Sequence, residues 1–171
     1  VPTTQLDRGW MNTNAVTVID TDEPDKPHPV LLNDPDAGAA NPWGVSFSED
    51  GGKLFVTHAG THELSVIDFP ALLERMKRED RSNEPVSERL GFLHGLRTRI
   101  ALPLNGPRSV ASDGKNVYVA GYFSDSLAEI SLKDACKSRA IPLNVPFRPS
   151  REKLGERYFN DASHCFQGWQ S

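Results

Sequence analysis

One feature constrains the fold of this chain more than any other: a short run of residues occurs twice, 63 positions apart. Residues 54–57 (Leu-Phe-Val-Thr) match residues 117–120 (Val-Tyr-Val-Ala). At the same spacing, the Asp-Gly pair at 50–51 matches the pair at 113–114. The remaining matches at this spacing are Leu64 with Leu127 and Ile67 with Ile130. The chain therefore contains a structural repeat, which is a signature of solenoids, propellers and similar arrays.

Two further matches extend the repeat. Residues 42–45 (Pro-Trp-Gly-Val) parallel residues 107–110 (Pro-Arg-Ser-Val), with a gap of two residues. A third, partial copy opens the chain, because residues 15–20 (Ala-Val-Thr-Val-Ile-Asp) parallel residues 63–68 (Glu-Leu-Ser-Val-Ile-Asp). Since the matches follow one another in the same order, they describe one complete unit, most of a second, and the later half of a preceding one.

Each unit predicts four short antiparallel strands. In the complete copy they cover residues 43–48, 53–58, 63–69 and, after an insertion, 97–104, with apolar and polar residues alternating. Residues 49–52 (Glu-Asp-Gly-Gly) predict a tight hairpin turn in which glycine adopts positive φ. Four strands per unit with a turn of the Asp-Gly type is the pattern of a β-propeller blade.

The repeat resembles that of the YVTN family of β-propellers. Residues 42–57 follow its consensus Pro-x-Gly-Val-x-Phe-Ser-x-Asp-Gly-x-x-Leu-Tyr-Val-Thr, and residues 64–68 and 16–20 supply the following Val-Ser-Val-Ile-Asp element. The second copy departs from it at Ala111-Ser112, where Phe-Ser is expected. The resemblance spans about residues 12–145 and implies an all-β fold, a partial β-propeller of about two to three four-stranded blades.

The length of the chain bears on how it is organised. A propeller of about 4–8 blades, each about 40–45 residues long, needs more than 171 residues. We therefore expect a segment of a larger protein whose remaining blades are partners of this one. Residues 1–148 are assigned to blades, with a helical insertion at about 70–95, and residues 149–171 to the start of another domain.

Two segments predict helices. Residues 70–80 begin with proline and continue with strong helix formers, placing Leu72, Leu73 and Met76 on one face. This segment is interpreted as a decoration of the blade, or alternatively as a helix that docks a partner. Beyond Pro149, Ser150 can cap a second helix whose apolar face carries three residues. These are Leu154, Tyr158 and Phe159.

The C-terminal segment resembles the start of a c-type cytochrome domain. Residues 153–161 are similar to the opening helix of such domains, where Gly-x-x-x-Phe precedes the haem motif. Residues 165–171 (Cys-Phe-Gln-Gly-Trp-Gln-Ser) are similar to the run before Cys-x-x-Cys-His in propellers that continue into a domain like di-haem cytochrome c peroxidase. This chain lacks the attachment motif, so we expect no cofactor within it and haem c in a C-terminal continuation. The resemblance implies a periplasmic, cell-surface or secreted protein.

Charge and cysteine content restrict the alternatives. The net charge of −4 is interspersed, without a basic stripe, which argues against nucleic acid as a partner. No run approaches the roughly 18 apolar residues of a membrane helix. The chain has two cysteines, Cys136 and Cys165, which form either one disulfide or two free thiols.

Candidate binding residues follow from the blade pattern. Loops between the second and third strands, and loops that lead from one blade into the next, lie on the same rim of a propeller. Loops on a rigid scaffold are common positions for binding residues. The ligand-binding candidates on this rim are Trp43, His58, His62, Arg108, Tyr122 and Asp125.

These candidates permit more than one role. His58 and His62 flank a short turn, so they could bind a metal with Glu63 or Asp125 as third ligand, or could simply be polar turn residues. We predict no metal site. Trp43 could pack between blades or stack on a ligand, and Arg108 could hold a neighbouring loop or bind an anion.

Three functions remain open from the sequence. The first is an exported, redox-associated propeller that binds a partner or small-molecule substrate beside a haem domain in electron transfer. The second is a hydrolase similar to lactonase propellers, with His58 and His62 as working groups. The third is a surface-layer or adhesion propeller without chemistry. The C-terminal segment favours the first, and whether the chain is part of an enzyme stays open.

Overall fold

The structure is a computed structural model that describes residues 13–79, 86–134, 137–143 and 148–169. Within these residues the chain is mostly β, which confirms the predicted fold class of a partial β-propeller. The strands are β1 (Ala15–Val18), β2 (His28–Leu31), β3 (Pro42–Phe47), β4 (Lys53–His58), β5 (Glu63–Asp68), β6 (Arg97–Ala101), β7 (Pro107–Ser112), β8 (Asn116–Gly121), β9 (Ser126–Ser131) and β10 (Ser138–Pro142). The helices are α1 (Phe69–Glu79) and α2 (Arg151–Phe159), with three single-turn 3₁₀ segments (Val86–Glu88, Ala162–His164, Phe166–Gly168).

The strands form three antiparallel sheets. Strands β3 to β6 form a four-stranded sheet in the order β3-β4-β5-β6, called blade 1 here. Strands β7 to β10 form blade 2 in the same up-and-down order, and β1 pairs with β2 in a two-stranded sheet called the half-blade. The half-blade matches the third and fourth strands of a blade, as the partial repeat predicts.

Local sequence explains the tight turn of each inner hairpin. In blade 1, Asp50 Oδ1 accepts hydrogen bonds from the Gly52 amide (2.9 Å) and from the Ser48 hydroxyl (2.6 Å). Gly51 takes φ 69°, which a residue with a Cβ adopts only with strain. The equivalent Gly114 in blade 2 takes φ 82°, so the Asp-Gly pairs of the repeat make the same turn twice.

Alternation along each strand builds two cores. Leu54 and Val56 of β4 face the half-blade and α1, in a core that includes Val30, Leu32 and Leu72. Phe55, between them, faces the opposite way. It packs in the second core with residues of blade 2, which are Val117, Val119, Ala128 and Ile130. Each face of blade 1 therefore buries apolar side chains, which stabilises the stack of sheets.

Element boundaries agree with the sequence to within one residue except at the outer strand. Helix α1 begins at Phe69, and the Asp68 carboxylate accepts a hydrogen bond from the Ala71 amide at 3.1 Å, capping its first turn. Asp80, the predicted last helical residue, lies outside the described residues. Strand β6 ends at Ala101 rather than at residue 104, because Pro103 has no amide hydrogen to continue the ladder.

Partly buried ion pairs join the loop before blade 1 to its outer strand. Arg97 Nη2 lies 2.6 Å from Asp34 Oδ1, and Arg99 contacts both Asp34 (3.1 Å) and Glu63. Burial lowers the pKa of Arg97, and the Asp34 charge opposes this effect. Two arginines facing two carboxylates leave the cluster electrically balanced, as buried charges require.

Among the helices that the structure describes, none is long and apolar enough to cross a membrane.

Candidate functional site

The candidate residues lie at or beneath one rim, here defined by residues 38–43, 58–62, 104–108 and 121–125. Each hairpin turn on this rim is tied to the loop that enters its blade. In blade 1 the Ala59 amide donates to the Asn41 carbonyl (2.8 Å), and in blade 2 the Tyr122 amide donates to the Gly106 carbonyl (2.9 Å). The repeat therefore gives both blades the same rim backbone.

Arg108 lies in a stack of aromatic rings on this rim. Its guanidinium carbon is 4.1 Å from the centre of the Trp43 ring and 3.6 Å from that of Tyr122. The ladder of β7 shifts register between Pro107 and Ser109, so Arg108 falls at a bulge, which can re-aim a side chain. Cation–π contacts of this kind are worth about 0.5–2 kcal/mol each. Trp43 of blade 1 thus contacts Arg108 of blade 2, while its side chain stays exposed on the rim.

The C-terminal segment, residues 150–169, docks on the rim. Glu156 of α2 lies 3.8 Å from Arg108 Nη2 and 3.1 Å from Lys153 Nζ. Lys153 Nζ in turn lies 3.3 Å from the centre of the Tyr122 ring. Arg108 and Tyr122, both predicted rim residues, therefore contact the protein's own C-terminal segment.

His62 makes a third link to this segment. The Gly106 amide donates to His62 Nδ1 (3.1 Å), so in the neutral ring the proton is on Nε2, which lies 3.2 Å from Asp161 Oδ1. Burial tends to raise the pKa of Asp161, but hydrogen bonds from Ser163 and the adjacent His62 outweigh it and lower that pKa. Asp161 therefore stays ionised at the junction.

Backbone contacts complete the docking. The Ala162 amide donates to the Gly60 carbonyl at 2.9 Å, and the Gly38 amide donates to the Gln167 carbonyl at 2.7 Å. A Cβ on Gly38 would lie 2.2 Å from the Gly168 carbonyl oxygen, so this approach requires glycine. Ala162 and Trp169 are buried. The segment is thus packed against the blades rather than held by side-chain charges alone.

His58 lies in the interior and not on the exposed rim. Its side chain is completely buried at the end of β4, and Nε2 is 2.7 Å from Ser65 Oγ. Burial, together with the charges of Arg99 and Arg97, lowers the pKa of His58 to about 3. His58 is therefore not an accessible ligand-binding residue of the rim, and it does not form an accessible pair with His62.

The remaining candidates have simpler surroundings. Asp125 occupies the turn position equivalent to His62, with φ 41°, and its carbonyl accepts from the Leu143 amide at 3.2 Å. Glu63, a possible third metal ligand, is paired with Arg99. In the part of the chain that the structure describes, no three His, Cys, Asp or Glu residues form a cluster suited to a metal ion. Cys165 is exposed and forms no disulfide with a described residue, whereas Cys136 lies outside the described residues, so their pairing stays a prediction.

Sequence reasoning missed the residues that bind the rim from the C-terminal side. These residues do not belong to the repeated pattern, because each contact between the rim and the C-terminal segment occurs once. They are Gly38, Lys153, Glu156 and Asp161. The Asp161-x-Ser163 spacing predicts a local turn at most, since the Ser163 amide donates to the Asp161 carboxylate (3.0 Å). Which surface the segment covers depends on the tertiary fold.

Comparison with known proteins gives two sets of similarities. No protein-family model matches the chain. It is 28% identical over 134 residues to hydrazine synthase subunit beta of Kuenenia stuttgartiensis, a match that covers 76% of this chain and 34% of that protein. This chain therefore spans about a third of the length of that curated relative.

Solved structures extend the comparison to the fold. Kuenenia stuttgartiensis hydrazine synthase superposes with a TM-score of 0.57 at 25% identity, over 78% of this chain and 36% of that one. A streptogramin B lyase superposes with a TM-score of 0.51 at 14% identity, over 78% and 35%. These propeller-like neighbours support the fold, and the lyase supports the fold alone.

Proposed function

We propose that this chain is the blade-bearing part of an exported protein that takes part in electron transfer. Its propeller rim would bind a partner or substrate beside a haem domain that follows in the sequence. The observation that carries the proposal is the docking of residues 150–169 on the rim. Because Ala162 and Trp169 are buried against the blades, a domain continuing from this segment would start at a fixed position beside the rim. A fixed start would hold a reacting group near whatever the rim binds.

Haem itself is assigned to a continuation. Covalent attachment needs Cys-x-x-Cys-His, and the two cysteines of this chain are 29 positions apart. Of the described residues, no His, Cys, Asp or Glu cluster offers an alternative metal site. The role that we propose for this chain is therefore to position the following domain and to bind a partner or substrate beside it.

The rim offers suitable binding chemistry. Exposed aromatic side chains lie on the rim and on the segment that covers it. They are Trp43, Tyr158, Phe159 and Phe166. Exposed aromatic rings of this density favour contact with another protein surface. The similarity to a protein named as one subunit of hydrazine synthase supports assembly with other subunits. We propose such an assembly, located in the periplasm or at the cell surface.

The hydrolase alternative has less support. It needs His58 and His62 as working groups, yet His58 is buried against Ser65 and its pKa is about 3. A structural or adhesion propeller without chemistry is the remaining competitor. It predicts a colourless full-length protein.

The test is a visible absorption spectrum of the reduced full-length protein, purified from its native source. We expect sharp c-type haem bands that persist after denaturation, because a covalent haem stays with the polypeptide. Light scattering on the same sample should give a mass above that of one chain. A colourless protein would contradict the haem proposal and leave the adhesion function, whereas a coloured monomer would contradict only the assembly.

A further inference from the structure

A cleft separates blades 1 and 2 at the ends of their strands that lie away from the rim. It has a volume of about 780 Å³, which is within the size range of small-molecule sites. Its apolar lining comes from both blades and includes Val66, Ile100, Ile130 and Leu132. These four residues belong to the core between the blades or pack against it. The cleft is therefore built into a packed junction between two sheets.

Three carboxylates and one ammonium group also line the cleft. They belong to Glu49, Asp50, Asp68 and Lys53. Lys53 Nζ lies 2.9 Å from Asp68 Oδ2, so the ammonium is paired with one of the three carboxylates. A hydrogen bond from the Ser48 hydroxyl lowers the pKa of Asp50, and one from Lys53 lowers the pKa of Asp68. Both groups are therefore ionised at neutral pH.

Arg97 also lines the cleft, but its guanidinium belongs to the opposite face of blade 1. In the ladder Arg97 pairs with Ile67, which packs in the core toward the half-blade. On that face its Nη2 lies 2.6 Å from Asp34 Oδ1, so its charge is balanced there. The cleft thus combines an apolar lining with an excess of negative charge.

The ion pair in the cleft is specific to blade 1. Lys53 lies opposite Asp68 in the ladder, and the equivalent pair in blade 2 is Asn116 opposite Ser131. Blade 2 therefore forms the same sheet with uncharged residues at these positions. Exposed ion pairs of this kind contribute little to folding. The need to form a blade does not explain why charged side chains occupy this place.

Glu49 is likewise a feature of blade 1 alone. It lies in a turn of six residues, 48–53, whereas the equivalent turn of blade 2 has four residues, 113–116. A Cβ on Gly114 would lie 3.1 Å from Glu49 Oε2, so this carboxylate reaches across to the turn of blade 2. The longer turn therefore adds a carboxylate to the cleft at the junction of the two blades.

We propose that the cleft between blades 1 and 2 binds a small organic cation, namely a primary ammonium group carried on an apolar body. The body contacts the apolar lining, and the ammonium group is held by Glu49 and by Asp68, in competition with Lys53. Lys53 itself shows that an ammonium group fits beside Asp68. The carboxylates repel an anion, and an uncharged apolar ligand would bury them without a partner. The site is separate from the rim, so this inference goes beyond the proposed function and does not depend on it.

Three compounds with the same phenylethyl group test the charge preference. The probe is 2-phenylethylammonium, and its controls are the neutral 2-phenylethanol and the anionic 3-phenylpropionate. Labelling the isoleucine δ1 methyl groups with ¹³C places NMR reporters in the cleft at Ile100 and Ile130. Ile67 lies in the other core, and Ile19 lines a separate apolar cavity beside α1. These two residues therefore report any binding outside the cleft.

We expect the probe to shift the Ile100 and Ile130 signals saturably and to leave those of Ile19 and Ile67 in place. Its Kd should be at least about fivefold lower than that of 2-phenylethanol, and 3-phenylpropionate should bind more weakly than both. The absence of a saturable shift at Ile100 and Ile130 would overturn the proposal. Equal affinity for the three compounds, or shifts confined to Ile19, would also overturn it.

Two substitutions should change the affinity in opposite directions. Glu49→Gln should weaken binding of the cation about threefold to fivefold and leave binding of 2-phenylethanol unchanged. Lys53→Met removes the competing ammonium group, so it should strengthen binding of the cation by a similar factor. Both positions lie on the surface, and an unchanged Ile67 signal would show that the variants fold.

Glu74→Gln is the matched control, because it removes an exposed carboxylate on α1, away from the cleft. It should leave the affinity for the cation unchanged. Equal losses with Glu49→Gln and Glu74→Gln would overturn the proposal, because the attraction would then come from the net charge of the protein. The haem spectrum tests the proposed function independently of these results.

Discussion

Blades 1 and 2 have the same backbone and differ in side chains at almost every matched rim position. Trp43 corresponds to Arg108, Gly44 to Ser109 and His62 to Asp125. The backbone bonds that hold the two turns are equivalent, as are the positive φ values of His62 (56°) and Asp125 (41°). The shared backbone geometry therefore forms the blade, whereas the differing side chains determine which residues each rim contacts.

The largest difference between the blades concerns the aromatic residue of the second strand. Phe55 is completely buried between blades, whereas the equivalent Tyr118 is partly exposed, with its hydroxyl donating to Glu129 Oε1 (3.1 Å). Phe55→Ala should lower the free energy of unfolding by about 4 kcal/mol, because it leaves a cavity in a packed core. Tyr118→Ala should cost about 1 kcal/mol. Urea denaturation measures both, and equal losses would contradict the assignment of the two faces.

The next comparison is between Gly44 and Ser109 on the inner strands. A Cβ on Gly44 would lie 2.2 Å from the Arg108 carbonyl oxygen, and this backbone atom cannot rotate away. Gly44→Ser should therefore destabilise the protein by about 2–3 kcal/mol in the same denaturation experiment. Ser109→Gly, the reverse exchange in blade 2, should cost less than about 1 kcal/mol. A Gly44→Ser protein of normal stability would show that β3 and β7 are farther apart than described.

A third prediction uses the buried His58, which corresponds to Gly121 in blade 2. Burial lowers the pKa of His58 from 6.5 to about 3. Below pH 6.5 the unfolded chain therefore binds a proton that the folded chain does not. Stability from this group is therefore complete above pH 6.5 and falls as the pH decreases toward 3, by at most about 1.4 kcal/mol per pH unit. His58→Gln should flatten this part of the pH–stability profile. An unchanged slope would indicate a solvated ring.

The sequence predicts the repeated parts of this fold better than the contacts that occur once. Strand β4 and the Asp-Gly turns were predictable because two copies of the same pattern support each other. The burial of His58 was not predictable, since it depends on Ser65 across the ladder and on two arginines of β6. The docking of residues 150–169 likewise depends on Gly38, a position with no counterpart in the repeat.

The smallest expected effect comes from substituting the two turn residues at positive φ, His62 and Asp125. Because asparagine tolerates this conformation, His62→Asn and Asp125→Asn alter the side chain while keeping the turn. His62→Asn should weaken the docking of the C-terminal segment by about 1 kcal/mol, since it removes the ring beside Asp161. The Ala162 amide, bonded to the Gly60 carbonyl, should then exchange its hydrogen about fivefold faster.

Asp125→Asn is the matched control for this measurement. Its turn has the same backbone form, but blade 2 contacts the C-terminal segment through Arg108 and Tyr122 and not through the turn residue. Exchange at Ala162 should therefore stay at the rate of the unmodified protein. If both variants accelerate exchange equally, turn geometry and not the His62–Asp161 contact holds the segment. If only His62→Asn does, one divergent side chain in otherwise equivalent turns secures the C-terminal segment to the rim.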